Sequence, residues 1–120
     1  MPASLSWISP GRIVRIKLDG NVTESDLACM RSQVKDALGK SSARLDYVLD
    51  VSQLSEFPET VLRFILNKQG MLRNPKTGRM AVVGAKPPQR LVLDSAALAL
   101  RLEIGYVENE RDALAFIAEG

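Results

Sequence analysis

The chain has no histidine among its 120 residues. That absence removes the commonest general base and the commonest metal ligand, and with them Ser–His, Cys–His and histidine-based zinc sites. A single cysteine, Cys29, excludes an intramolecular disulfide and suits a reducing compartment. No apolar run approaches the roughly 20 residues that a membrane-spanning helix needs. The opening MPASLSWISPGR lacks a basic start followed by an apolar stretch, so it does not read as a signal peptide. A cytoplasmic location is the expectation. An excess of one charge is also missing: 16 basic residues against 14 acidic leave +2, spread along the chain, which does not favour nucleic acid as a partner.

What is present is ordinary globular material, 46% hydrophobic and 25% charged. A chain of this length buries about two thirds of its unfolded surface and needs no disulfide or metal to hold a core. Residues 12–19, RIVRIKLD, alternate apolar and basic side chains and read as a half-buried strand near a sheet edge. Thr23 stands three residues before Asp26, a capping pair for a helix to about Leu38. Leu27, Met30, Val34 and Leu38 recur along it at spacings of three and four, and Gly39 is its expected end. Cys29 falls beside that stripe and reads as a small buried side chain.

The run DYVLDV, residues 46–51, is almost uniformly apolar, as a strand covered on both faces would be. Pro58 suits the first turn of a following helix with Val61, Leu62, Ile65 and Leu66 inward and Gly70 as its stop. Asn74-Pro75 and Thr77-Gly78 supply turn chemistry, and Lys68, Arg73, Lys76 and Arg79 form a basic, solvated stretch. A strand at Met80–Val83, closed by Gly84, leads through Pro87-Pro88 to a helix carrying Leu91, Val92, Ala96, Leu98, Ala99 and Leu102. Ile104–Val107 is strand-like, and Asn109 caps a last helix with Ala113, Leu114, Phe116 and Ile117. An extra N-terminal strand fits around Leu5–Ile8. Trp7 and Tyr106 fit a core or an edge equally. The alternation predicts one α/β domain over residues 1–120, a four- to five-stranded, mostly parallel sheet with about four helices packed on it.

In open α/β sheets, ligands gather beyond the carboxyl ends of the strands. That edge should collect residues 19–23, 50–59, 84–90 and 107–110. The stretch DVSQLSEFPETVLRFI, residues 50–65, is the richest part of it. Asp50, Ser52 and Ser55 are explained by local capping of the loop, and Glu56 and Glu59 by the dipole of a first helical turn. A helix start near Pro58 also favours a phosphate or carboxylate. Lys86 and Arg90 are candidate anion or ligand contacts. GAKPP lacks the phosphate-loop pattern GxxxxGK[ST]. No nucleophile–base pair can be assembled, so the chain reads as non-enzymatic, with no catalytic residue, no metal and no cofactor.

Several of these segments carry a family resemblance. IVRIKLDGNVTESD, YVLDVSQLSEFPETVLRFIL, MAVVGA and VENERDALAFI resemble, in order, the strands and helices of the STAS domain (sulfate transporter and anti-sigma factor antagonist), in particular its stand-alone bacterial members. The resemblance spans nearly the whole chain and implies a STAS-like fold and a regulatory, protein-binding role. It implies as partner a serine kinase of the anti-sigma type or a sensor protein. The family's phosphorylatable Asp-Ser-Ser-Gly run matches Pro58-Glu59-Thr60-Val61, which places Thr60 at the modified serine, while Pro58, Glu59 and Val61 depart from the pattern. The docking or phosphorylation candidates are therefore Thr60, Ser52, Ser55, Asp50 and Glu59. A related, Sec14-like group implies the alternative of a small-ligand or lipid-binding domain. A homodimer through RIVRIKLD at a sheet edge stays open, since its basic residues also serve to block such pairing.

Overall fold

The two-residue alternation of IVRIKLD gives a strand with one covered face. In the computed structural model, which describes residues 3–20, 22–41, 44–54, 77–100 and 103–119, this is β2 (Ile13–Asp19), with Val14, Ile16 and Leu18 buried. β1 (Ala3–Ser9) pairs with it antiparallel, and β3 (Leu45–Gln53), β4 (Thr77–Val83) and β5 (Ile104–Val107) follow in parallel. Together they form one five-stranded sheet in the order β1-β2-β3-β4-β5. Among the described residues three helices accompany it: α1 (Glu24–Lys40), α2 (Pro87–Leu100) and α3 (Glu110–Ala118).

The sheet separates two apolar layers. One contains Val14, Ile16, Leu18, Tyr47, Leu49, Val51, Met80 and Val82 from the strands, against Leu27, Met30, Val34 and Leu38 of α1 and Leu93 of α2. The other is smaller, with Val48, Ala81 and Val83 under Ala113 and Ile117 of α3. This two-sided covering is why β3 and β4 are nearly continuous apolar runs. α1 begins as expected: the Thr23 hydroxyl accepts from the Asp26 N–H at 3.2 Å, and the Asp26 carboxylate accepts from the Thr23 N–H at 3.0 Å. The Thr23 N–H, which contributes most, and the Thr23 hydroxyl, which donates at 2.9 Å, together hold the Asp26 carboxyl below its ordinary range. Asn109 caps α3 through the Asp112 N–H at 2.9 Å.

RIVRIKLD lies near the sheet edge as expected, with the N-terminal strand β1 outside it. Several expectations are corrected. A homodimer cannot pair through RIVRIKLD, because β1 and β3 occupy both of its sides. Thr77 and Gly78 open β4 rather than a turn. At Gly78 the side chains of Asp46 and Arg44 occupy the volume a Cβ would need, so a glycine is required within the strand. α1 continues through Gly39 to Lys40, and the Ser41 N–H closes it on the Leu38 carbonyl. Cys29 is exposed, since Leu27 and Met30 take the inward positions on either side of it.

The inward face of α2 also differs from the expected stripe. Gln89 and Leu93, one turn apart, are buried, whereas Leu91 and Leu98 are 72% and 84% exposed. At about 100° per residue these two leucines point some 140–160° away from Leu93. Arg79 is not a solvated loop residue but a β4 residue: it donates to the Phe116 carbonyl at 2.9 Å and pairs with Glu103 at 3.0 Å. Leu102, the helix placed after Pro58 and the basic residues Lys68, Arg73 and Lys76 lie outside the described residues.

Candidate functional site

Because β2, β3, β4 and β5 run parallel, their carboxyl ends at Asp19, Gln53, Val83 and Val107 share one edge. Backbone bonds stitch that edge together. The Gly20 N–H donates to the Gln53 carbonyl at 3.2 Å, and the Gly84 N–H donates to the Val107 carbonyl at 3.1 Å. Asp19 sits there with Oδ1 buried and, among the described residues, no hydrogen-bond partner.

Asp50 and Ser52 come together at the end of β3. Asp50 Oδ1 accepts from both the Ser52 N–H, at 3.0 Å, and the Ser52 hydroxyl, at 2.6 Å. The carboxylate thus fixes the strand end through the residue two positions on, the local capping pattern of Asp and Ser. Ser52 is exposed, and its hydroxyl proton is committed to a carboxylate.

Ser52 is also fixed from the side. Gly84 adopts φ +75°, and a Cβ built there would come within 2.6 Å of the Ser52 Cβ. A glycine is therefore needed twice over, for its conformation and for the approach of the β4 exit to the β3 exit.

Lys86 and Arg90 stand at the start of α2, both exposed. The Lys86 N–H donates to Gln89 Oε1 at 2.9 Å, so the side chain three residues on caps the helix in the manner of a capping box. Positions 87 and 88 are prolines and carry no N–H. This helix start consequently offers few backbone donors to an anion, and the side chains remain as the cationic groups. Arg90 is partly engaged: Nε donates to the Ala85 carbonyl at 3.1 Å, and its guanidinium lies 5.3 Å from the centre of the Tyr106 ring.

Tyr106 donates its hydroxyl to Asp94 at 2.5 Å, with the Arg90 carbonyl 3.0 Å away. Burial and the adjacent Asp94 carboxylate both push its phenol upward. Among the described residues no hydrogen bond joins Lys86 or Arg90 to Asp50 or Ser52. Ser55, Glu59 and Thr60 lie outside the described residues. The roles of Gln89 and Gly84 were hidden in the sequence. Only the Lys-Pro-Pro-Gln spacing hints at the first, and the second depends on β3–β4 register.

One antiparallel N-terminal pair followed by parallel strands in chain order, with helices on both faces, defines a domain of the STAS-like class. The chain belongs to the SpoIIAA-like family, whose model matches residues 13–118. Its fold is similar to the crystal structure of an uncharacterized DUF3478-family protein with a SpoIIAA-like fold from Shewanella loihica PV-4. The TM-score is 0.72 at 20% identity, over 96% of this chain and 91% of that one. No curated protein matches the sequence.

Proposed function

We propose that this domain is a non-enzymatic regulatory module that docks a protein partner on the carboxyl edge of its sheet. The partner class is a serine kinase of the anti-sigma type or a sensor protein, in a bacterial cytoplasm. The supporting observation is the exit of β3, where Asp50 holds an exposed Ser52 by two hydrogen bonds and Gly84 presses against it. That combination presents a rigid, exposed polar rim, which serves recognition. The residues proposed for docking are Asp50, Ser52, Ser55, Glu59 and Thr60, with Lys86 and Arg90 as contacts for acidic groups. Thr60 is the position assigned to phosphorylation, where an added phosphate would alter docking by charge.

Affinity capture from the native host, comparing wild type with Ser52→Arg and Lys86→Glu, tests the surface. The reading expects one protein retained by wild type and lost from both variants at unchanged thermal stability. Equal capture by all three refutes the edge as the docking surface. Intact mass of the native protein tests the modification, and its absence under every growth condition removes Thr60 as a switch.

A second reading, a small-ligand or lipid-binding domain, is favoured by Leu91 and Leu98, which project from α2 with 72% and 84% of their surface exposed. Vesicle sedimentation decides it: Leu91→Ser with Leu98→Ser should release the protein from lipid, and a wild type that never sediments ends this reading.

A further inference from the structure

We infer that β1 is a self-association edge, through which two copies of this chain join their sheets antiparallel about a two-fold axis at Leu5. β1 is a terminal strand of the sheet, and among the described residues it pairs with β2 alone. The outward N–H and C=O groups of such a strand are a template for another strand. Proteins commonly guard these edges by shortness, charge or proline. The opposite edge, β5, is only four residues long. β1 has seven residues, with no charge and no proline among them. The charges Arg15 and Lys17 sit one strand further in, on β2, opposite Ser6 and Ser4.

The strand suits a second copy of itself. Its regular pairing runs from Ala3 to Trp7, and the register breaks between Trp7 and Ser9. Leu5 is the centre of that regular stretch. A two-fold axis there sets Leu5 against the Leu5 of the other copy, Ala3 against Trp7 and Ser4 against Ser6. Leu5 and Trp7 are only half-buried and pack against the main core, on the side of α1. Pairing would complete their covering, with the smallest side chain opposite the largest. On the other face the exposed Ser4 and Ser6 meet as small hydroxyl pairs, which cross-strand contact favours. No like charges are brought together. Lys17 of one copy and Arg15 of the other end three strand spacings apart, roughly 14 Å, beyond the screening length of about 8 Å at physiological salt.

Light scattering on the eluting protein reads the outcome. Wild type should show twice the 13.2 kDa of one chain, falling to one chain on dilution. The double variant Ser4→Glu with Ser6→Glu should remain a single chain at every concentration. Within one protomer its carboxylates face Lys17 and Arg15 across β1–β2, so the fold is supported; across the seam they oppose one another. A wild type that never exceeds one chain overturns the inference, and so does a double variant that still dimerises. Hydrogen exchange of unmodified protein gives a measurement free of substitutions. Amides within residues 3–7 should slow as concentration rises through the dimerisation range, and concentration-independent exchange overturns the edge assignment.

Discussion

Tyr47 lies wholly buried in the main core, beside Asp46 on the same strand. Burial, reinforced by the Asp46 carboxylate, pushes its phenol up to about 12. The folded state therefore holds this proton more tightly than the unfolded chain does. The resulting stability is complete below pH 10 or so, the ordinary tyrosine value, and is lost as pH rises towards 12, by at most about 3 kcal/mol. Urea unfolding across that window should show a steep loss in wild type and a shallower one in Tyr47→Phe, where only groups such as Tyr106 still contribute. Glycine positions give a second contrast. Gly20 and Gly84 both have positive φ, but a Cβ at Gly20 meets nothing within 4 Å whereas one at Gly84 meets Ser52. Gly20→Ala should cost about 1–2 kcal/mol for the backbone alone, and Gly84→Ala measurably more on the same denaturation curve. The local capping role of Asp50 and Ser52 at the strand end was legible from their residue types. The contact of Gly84 with Ser52 was not, because it is made by strands that meet only in the folded sheet.

At the scale of elements, α2 separates apolar composition from burial. Leu93 is fully buried and Leu98 is 84% exposed. Leu93→Ala should lower unfolding stability by about 2–5 kcal/mol, and Leu98→Ala should leave it within about 0.5 kcal/mol. Equal effects would mean that the helix is rotated. The stripe was misread because its inward face is begun by a polar residue, Gln89, whose burial follows from capping rather than hydrophobicity. α3 is attached differently. The Phe116 ring lies on Gly105, where a Cβ would stand 2.6 Å from it, and the Arg79 guanidinium lies 4.8 Å from its centre. Arg79 also donates to the Phe116 carbonyl near the end of that helix, where a cation is favoured. Gly105→Ala should displace the ring and loosen α3, seen as faster amide exchange over residues 113–117 with β3 amides still protected. The strands and caps were readable from period and spacing, since α1 and α3 start at Thr23 and Asn109 as their side chains require. The inward turn of Arg79 was not readable, because its partners Glu103 and Phe116 are distant in sequence.

Across the whole molecule, the α/β architecture was legible because β3 and β4 are apolar on both faces and the intervening segments are not. The place of β2 was harder to read, since a strand with one polar face looks the same at an edge or one position in. The polar face of β2 is explained by layer coverage: Ala113 and Ile117 of α3 cover Val48, Ala81 and Val83, while Arg15 reaches the first turn of that helix to pair with Glu110.

The spatial order of the strands is identical to their order along the chain. No strand has to be inserted between two already paired, so the sheet can grow by accretion at one advancing margin, each new strand closing a loop onto its immediate predecessor. Loop-closure entropy is then met in modest steps, a circumstance that speeds folding and suits a chain emerging from its N-terminus. The contact between Arg15 and Glu110, 95 residues apart, spans nearly the full history of that growth and is available only once the last helix has formed.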